Sequence, residues 1–310
     1  MINPVDLAVA IAPEVSLEPG EMMKLSTYAA ALVSAGLLAS LAGTAGASET
    51  SVAPTADAKA LPSVNMEATV KAAQIDPRRP NNNFTPGAKA SVLLVERALR
   101  DKKLLAAKYV DGHYGTTTVT AFTKYQKSLG YKGVAANGLP GKASLTKLGA
   151  GRFKLNHVIV PGARVKYGRY VVNTRTKKML TEASRLLGGR KIVLDQGSYN
   201  PGGDPTSKGT HDGGGVVDIS VKGMNAATRT KVVRELRRVG FAAWVRSPRQ
   251  GNWPWHIHAT ALNDTDLSTP AQHQVGDYYL GLNGLANRGK DDGPKVKPIR
   301  TWEEYLRARR

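Results

Sequence analysis

The chain has no cysteine, few acidic residues and a single long apolar run. Without cysteine it can form neither disulfide bonds nor thiolate metal sites, so histidine and carboxylate side chains are the available metal ligands. Only 24 Asp and Glu residues stand against 44 Lys and Arg in 310 residues, which gives a formal net charge of +20. A charge of this size favours anionic partners. The length leaves room for two domains.

The one apolar run indicates export. Residues 25–41 are small and apolar, they follow Lys24, and they lead into Ala45-Gly46-Ala47, a small-x-small cleavage pattern. We therefore expect residues 1–47 to be a leader and signal peptide that is cleaved after Ala47. A transmembrane anchor is the alternative, but the run is at the short end for a span. The exported protein is then expected to be secreted or cell-wall associated, with no stable membrane span.

The segment before the apolar run is acidic, which is atypical of a signal peptide, so Met22 and Met23 are alternative starts to Met1. Removing residues 1–47 takes away four acids and one lysine, which makes the exported chain more positive still. The expected partners of such a chain are anionic: cell-wall polymers, peptide carboxylates or lipid headgroups. Nucleic acid, the other usual partner of basic proteins, is not expected outside the cell.

Composition and periodicity divide the remaining chain into four parts. Residues 48–83 are rich in Ser, Thr, Ala, Pro and Asn and predict a disordered linker. Residues 84–150 predict three helices, residues 155–284 predict helices against a small, largely antiparallel sheet, and residues 285–310 predict a tail with a short terminal helix. The fold class is therefore α+β overall. The three helices of the first unit are predicted over Ser91–Leu105, Thr116–Leu129 and Lys142–Leu148.

A turn and the helix after it have a distinctive spacing. It consists of Asp111, Gly112, Tyr114, Gly115 and Thr118, followed by Phe122 and Gln126. This pattern resembles the helical peptidoglycan-binding domain (type 1) of wall hydrolases. The resemblance implies that residues 84–150 bind peptidoglycan. In that family the glycines shape the turn, so Gly112, Gly115 and Phe122 are mainly expected to determine the fold.

The second unit contains a glycine-rich stretch with a histidine and an aspartate seven positions apart, His211 and Asp218. Two further histidines, His256 and His258, occur some forty residues later and are two positions apart, so a strand would point both to one face. Imidazole nitrogen and carboxylate oxygen are zinc ligands, and a catalytic zinc site has three protein ligands with a fourth position open. The pattern therefore predicts a Zn²⁺ site.

The order of elements around these residues resembles the zinc DD-carboxypeptidase superfamily, whose first motif is His-x-x-Gly-x-(small)-x-Asp. The resemblance covers residues 190–262 and implies a Hedgehog/DD-peptidase fold. It implies that His211, Asp218 and a histidine of the last strand hold the metal. We favour His258 as that ligand because it lies deeper in the strand, with His256 as the alternative.

Two residues of the family pattern are missing. The family places an acid three residues before the last ligand, where this chain has Trp255, or Trp253 if His256 is the ligand. His256 is the best substitute for the missing catalytic acid by position, and Asp212 is a weaker one. The family arginine that stabilises the oxyanion is also absent from the loop before the first histidine. The candidate substrate-binding residues are Gln196, Tyr199 and Arg249, and Asn200 is a further possible donor.

The sequence therefore predicts an exported, peptidoglycan-binding zinc metallopeptidase of the DD-carboxypeptidase or endopeptidase type, which would hydrolyse stem-peptide amide bonds of the cell wall. The alternative is a non-catalytic peptidoglycan-binding protein with a degenerate peptidase-like domain. Trp255 in place of the expected acid is the main sequence feature that favours the alternative.

Overall fold

The computed structural model describes residues 60–80 and 82–310, and within them the predicted α+β class is confirmed. The predicted signal peptide and the first part of the predicted linker lie outside the described residues. No helix in the described part is long and apolar enough to cross a membrane. The helices are α1 (Met66–Ile75), α2 (Lys89–Asp101), α3 (Thr116–Ser128), α4 (Lys142–Leu148), α5 (Thr174–Leu186), α6 (Ala226–Arg238), α7 (Thr269–Tyr279) and α8 (Trp302–Arg307). The strands are β1 (Ser63–Asn65), β2 (Lys154–Asn156), β3 (Arg164–Tyr167), β4 (Tyr170–Asn173), β5 (Leu194–Gln196), β6 (Val216–Ser220), β7 (Phe241–Arg246) and β8 (His256–Ala261).

The three helices predicted for residues 84–150 are present as α2, α3 and α4. A buried carboxylate fixes the turn between α2 and α3. Oε2 of Glu96, a fully buried residue on α2, accepts hydrogen bonds from the backbone N–H groups of Asp111 and Gly112. Its Oε1 accepts a hydrogen bond from the Thr118 hydroxyl on α3. Gly112 has φ +86°, a conformation that L side chains rarely adopt, so the turn requires glycine there.

The prediction of a disordered linker up to residue 83 is wrong for residues 63–78, which form β1, α1 and a 3-10 turn. Strand β1 pairs in parallel with β2, beyond the three helices. Helix α1 begins at a cap in which Asn65 accepts a hydrogen bond from the Ala68 N–H, and it buries Met66 and Val70 completely. The helix packs against both α2 and α7. Its apolar residues therefore face more than one side, and no single amphipathic stripe marks the helix in the sequence.

The second unit is built on a four-stranded antiparallel sheet with the strand order β5-β6-β8-β7. Successive side chains alternate between its two faces. Val217, Ile219 and Ile257 belong to the core beneath α5 and α6. The opposite face carries Val216 and Trp244, and α7 lies over it. The charged and polar residues of the candidate site share this α7-covered face.

The helical unit and the sheet share one hydrophobic core. Residues of α2–α4 and α1 form a single buried cluster with Val216, Trp244 and residues of α7. A glycine allows the closest approach: a Cβ on Gly276 of α7 would lie 2.2 Å from the Gln74 carbonyl oxygen of α1. The units predicted for residues 84–150 and 155–284 therefore pack as parts of one body in the described chain.

The predicted tail folds back onto this body. Arg237 of α6 holds Asp291 through two hydrogen bonds of 3.0 and 2.8 Å, with both side chains buried. The predicted terminal helix is present as α8, where Glu303 forms an ion pair with buried Arg175 at 2.7 Å. Each of these arginine–carboxylate pairs is bidentate, so it both stabilises the tail and sets its orientation on the body.

The buried Glu96 carboxyl is expected to make the free energy of unfolding depend on pH. Burial raises the pKa of its carboxyl from 4.5 to about 7, although hydrogen bonds from Gly112 and Thr118 oppose the shift. The folded state holds this proton more tightly than the unfolded chain. Its contribution to the free energy of unfolding is therefore full below about pH 4.5 and is lost as the pH rises towards 7. The loss is about 3 kcal/mol for a shift of this size.

Glu96→Gln keeps the shape of the side chain and one acceptor oxygen for the Asp111 and Gly112 N–H groups, and it does not titrate. We expect the stability of the wild-type protein, relative to this variant, to fall by about 3 kcal/mol between about pH 4.5 and about pH 8. Denaturant unfolding of both proteins across this range measures the difference. A difference that stays constant with pH would show that Glu96 does not titrate in this window.

Candidate metal centre

Three side chains converge on the α7-covered face of the sheet: His211, Asp218 and His258. The His211 Nε2 atom lies 3.3 Å from Asp218 Oδ2, and the His258 Nδ1 atom lies 2.7 Å from Asp218 Oδ1. One ligand atom from each residue lies within 4.8 Å of the other two. Within the described chain these residues form a cluster that could hold a metal ion. They are the three ligands that the sequence predicts.

Strand register brings two of the ligands together. Asp218 lies in the middle of β6, and His258 is directly opposite it on β8, so both side chains emerge on the same face. His211 comes from the glycine-rich loop that precedes β6. This loop packs tightly because a Cβ on Gly213 would lie 2.2 Å from the Asp266 carbonyl oxygen. The glycines therefore allow the loop to approach residues 264–268 and hold His211 over the sheet.

A backbone carbonyl orients the His211 ring. The Nδ1 atom of His211 lies 2.8 Å from the Gly197 carbonyl oxygen, which can only accept a hydrogen bond. The Nδ1–H therefore donates to Gly197, which leaves Nε2 facing Asp218 as the nitrogen that would bind a metal ion. Metal-binding histidines are commonly fixed in this way by a hydrogen bond on the other ring nitrogen.

Both nitrogens of His258 face oxygen acceptors. Nδ1 lies 2.7 Å from Asp218 Oδ1, and Nε2 lies 2.8 Å from Gln274 Oε1 on α7. The Thr260 hydroxyl donates to the same Gln274 oxygen at 3.1 Å, which supports that amide orientation. A neutral imidazole can donate through only one nitrogen. A cation between His258 Nδ1 and Asp218 would remove this conflict, so the donor set fits a bound metal ion.

The two histidines keep the Asp218 side chain in its ionised, carboxylate form. Burial alone would raise the pKa of Asp218, but His211 and His258 outweigh it and hold the pKa well below its ordinary value. Burial lowers the pKa of His258, and Asp218 offsets this only in part. Burial also acts to lower the pKa of His211, but Asp218 more than offsets it and leaves the pKa raised. Asp218 is therefore ionised and available as a ligand.

His256 lies beside the three-ligand cluster. Its Nδ1 atom is 2.8 Å from the Pro254 carbonyl oxygen, so the Nδ1–H donates there and Nε2 has a free lone pair. That Nε2 atom lies 3.7 Å from Asp218 Oδ1. The side chain is 12% exposed, whereas that of His211 is 1% exposed. His256 is thus close enough to exchange protons with a group at the cluster while remaining accessible to solvent.

Of the three candidate substrate-binding residues, one lies beside the metal ligands and two do not. Gln196 of β5 is opposite Asp218, and its buried Nε2 has no hydrogen-bond partner in the described part of the chain. The Tyr199 hydroxyl donates to Asp266 at 2.5 Å, so it is engaged away from the cluster. Arg249 is exposed and has no contact with the cluster. Of these three residues, the structure therefore places Gln196 beside the ligands.

Asp212, the weaker substitute for the missing acid, and the two tryptophans at the expected position of that acid do not contact the ligands. Asp212 follows His211, but its carboxylate turns back towards Gly209. Trp255 is 47% exposed, and the guanidinium of Arg229 lies 4.6 Å from its ring centre. Trp253 packs its ring edgewise against His256, with the ring centres 6.3 Å apart. Among the described residues, Asp218 therefore provides the only carboxylate of the cluster.

Sequence reasoning missed Arg246. It lies on β7 opposite His256, and its side chain shares the face of the ligands. Arg246 is 3% exposed, and its buried Nη2 has no hydrogen-bond partner in the described residues. Burial lowers its pKa to about 10, partly opposed by attraction to Asp218, so it remains positively charged at neutral pH. The guanidinium lies over the Trp244 ring, 4.8 Å from its centre, so this cation–π contact offsets part of the cost of burying the charge and leaves the Nη2 donor unused.

Most residues of the predicted wall-binding motif are buried and structural. Tyr114 and Phe122 have no exposed surface, and Thr118 and Gln126 are nearly as buried. Gln126 holds the loop before α4 by accepting from the Gly138 N–H and donating to the Leu139 carbonyl. Asp111 and Gly115, together with the largely buried Thr118, line a cavity of about 430 Å³ at the start of α3. The fold-determining expectation for Gly112 and Phe122 agrees with this placement.

Gln274 offers a direct test of the metal centre. It was not singled out in the sequence, since it lies on α7, a helix that was not predicted. Gln274→Leu removes the acceptor that orients His258, and we expect it to weaken metal binding about 10- to 100-fold. Gln274→Glu retains an oxygen acceptor and is expected to bind at least as tightly as the wild type. Titration calorimetry with Zn²⁺ measures both variants. Equal affinities for the leucine and glutamate variants would contradict the orienting role.

Comparison of the chain with family models, with curated proteins and with solved structures finds no match in any of the three.

Proposed function

We propose that this protein is an exported zinc-dependent peptidase that hydrolyses stem-peptide amide bonds of peptidoglycan. The observation that carries the proposal is the convergence of His211, Asp218 and His258, with the second ring nitrogen of each histidine held by a separate partner. Two imidazoles and one carboxylate form a donor set that suits Zn²⁺ and leaves a fourth position open. The Asp218 side chain is 13% exposed, so the cluster is not closed off from solvent.

In this proposal the chain's own residues have distinct roles. When bound, zinc would activate a water and polarise the scissile carbonyl. His211, Asp218 and His258 would hold the metal. His256, through its free Nε2 atom, would carry the proton from the attacking water to the leaving amine. The Arg246 guanidinium would stabilise the negative charge that develops on the carbonyl oxygen, in place of the arginine missing from the earlier loop.

The helical unit would bind the wall. Its resemblance to peptidoglycan-binding domains supports this role. The cavity of about 430 Å³ is the site where a segment of the wall would bind. Asp111 and His113 line that cavity together with the cations Arg79 and Lys108. Sugar hydroxyls and peptide carboxylates are the groups that such a mixed polar lining can bind.

A second candidate function is non-catalytic wall binding with a metal-stabilised second unit. The observation that favours it is the position of Trp255, which is exposed and stacked with Arg229 where the superfamily that the sequence resembles has an acid. General acid–base assistance is typically worth about 10²- to 10⁴-fold in rate, so its loss would be severe unless His256 replaces it.

One experiment separates the two functions. The purified full chain, loaded with Zn²⁺, is incubated with isolated peptidoglycan, and the released products are identified by mass spectrometry. A parallel sample contains a chelator. Release of D-alanine or peptide fragments that stops with the chelator would support the peptidase and identify the bond. Binding to the wall with no released product from several wall types would overturn the peptidase proposal and support the second candidate.

A further inference from the structure

A strongly cationic pocket lies on the opposite side of the sheet from the metal centre. The C-terminal parts of α5, α6 and α8, the residues just after α8 and residues 295–300 form its walls, and its volume is about 500 Å³. We call it the α6–α8 pocket. All seven charged side chains that line it are cationic, and five of the seven are arginines. The volume is within the range of pockets that bind small molecules or polymer segments.

Four of these cations have acidic partners. Glu182 contacts two of them, and Glu235 and Asp291 contact one each. The acids are largely buried, whereas the cations are about half exposed. The paired carboxylates therefore fix the cations from the protein side and leave their outer surfaces available. The pairs are Arg185–Glu182 at 2.8 Å, Arg309–Glu182 at 2.5 Å, Arg238–Glu235 at 2.7 Å and Lys295–Asp291 at 3.1 Å.

The other three cations, Arg234, Lys297 and Arg300, have no such partner. All three are exposed, and their side chains form no ion pair or hydrogen bond within residues 60–80 and 82–310. Like charges gathered on a concave surface repel one another and raise the local positive potential. A multivalent anion in the pocket would relieve this repulsion.

We propose that the α6–α8 pocket binds a base-free phosphodiester polymer, such as a polyglycerol phosphate chain. Arginine is well suited to phosphate because its planar guanidinium can donate two parallel hydrogen bonds to it. A linear polymer with one phosphate per repeat can engage several of these cations at once. This pocket has no part in the peptidase reaction, and its test requires no metal.

The lining argues against nucleic acid. Proteins that bind single strands combine a cationic groove with aromatic side chains on which the bases stack. Among the described residues, Tyr305 is the only aromatic residue in the α6–α8 pocket; it is 7% exposed and already stacked on Trp302 with 5.6 Å between ring centres. The pocket therefore offers charge without a stacking surface, which suits a polymer that has phosphates and no bases.

Fluorescence anisotropy with a labelled glycerol phosphate oligomer of about ten repeats tests the proposal on the full chain. The pocket variant is Arg234→Gln, Lys297→Gln and Arg300→Gln combined. The control variant is Lys127→Gln, Lys132→Gln and Lys147→Gln combined, which removes the same charge from exposed lysines of the helical unit. We expect the pocket variant to bind at least about tenfold more weakly at moderate salt, with a salt slope smaller by about 2. The control is expected to stay within about twofold of the wild type.

Three outcomes would overturn the proposal. Equal weakening in both triple variants would show attraction by net charge without a site. If the wild type did not bind the oligomer at moderate salt, glycerol phosphate polymers would not be ligands of this pocket. A DNA oligomer with the same number of phosphates that displaces the glycerol phosphate oligomer and binds more tightly would identify nucleic acid as the partner. Circular dichroism of both variants verifies that each is folded.

Discussion

Replacing Asp218 with asparagine is expected to reduce zinc affinity by at least about 100-fold and to abolish the proposed peptidase activity. The carboxylate lies within 3.3 Å of His211 Nε2 and 2.7 Å of His258 Nδ1, so it is the one anionic group that both rings share. Asparagine keeps the shape of the side chain but is neutral and a poor zinc ligand. Removing this charge weakens the attraction for a divalent cation in a largely buried site.

Two measurements test the Asp218 prediction. The first is the zinc content of the purified protein by mass spectrometry. The second is the gain in unfolding free energy on adding zinc, which is about 2.7 kcal/mol for the wild type at 100 times its Kd and near zero for Asp218→Asn. The matched control is Asp195→Asn, an exposed aspartate on β5 of the same sheet. If Asp218→Asn retained stoichiometric zinc, the metal centre would be wrongly assigned.

Replacing Arg246 with methionine is expected to lower the turnover number about 10²- to 10³-fold while leaving zinc affinity nearly unchanged. The guanidinium lies on the ligand face opposite His256, and its Nη2 has no partner within the described residues. An unpaired donor of this kind is available for a charge that exists only during the reaction, and removing one such donor typically costs about 2.7–4 kcal/mol of transition-state stabilisation.

The stability of the Arg246 variant separates a functional role from a structural one. Methionine fills much of the same volume without a buried charge, so Arg246→Met is expected to be as stable as the wild type or more stable. Arg249→Met, three residues later on an exposed loop, is the matched control and is expected to change neither rate nor stability. An Arg246 variant that loses stability or zinc but keeps its turnover number per bound zinc would contradict the proposed role.

The sequence predicted those features of the structure that depend on residues close to one another in the chain. Helices α3 and α4 begin where the turn residues indicate. His211, Asp218 and His258 come together as the resemblance to the zinc DD-carboxypeptidase superfamily implied. On the strands, the period of two places alternate residues on one face, so the grouping of His256 with His258 followed directly from the sequence.

The missed features depend on contacts between distant segments. Helix α1 is apolar on several sides because it packs between α2 and α7, and its pattern therefore has no clear stripe. Helix α7 contains Gly276, a poor helix former that is required by the close approach of Gln74. Arg246 could have been found from β7, since it lies two residues after Trp244 on the same face, but its lack of a partner is visible only in three dimensions.

The core shared by the helical unit and the sheet has a consequence for how a polymer would be cut. A wall-binding module on a flexible tether lets an active site search every bond within the reach of the linker. Here the cavity beside Asp111 and the centre at Asp218 belong to one packed body, so their separation is constant. A wall-polymer strand held by the helical unit would then present to the metal centre only bonds at one fixed distance from the point where it is bound. The protein would act as a molecular ruler, and the fragments it releases would have a narrow range of lengths.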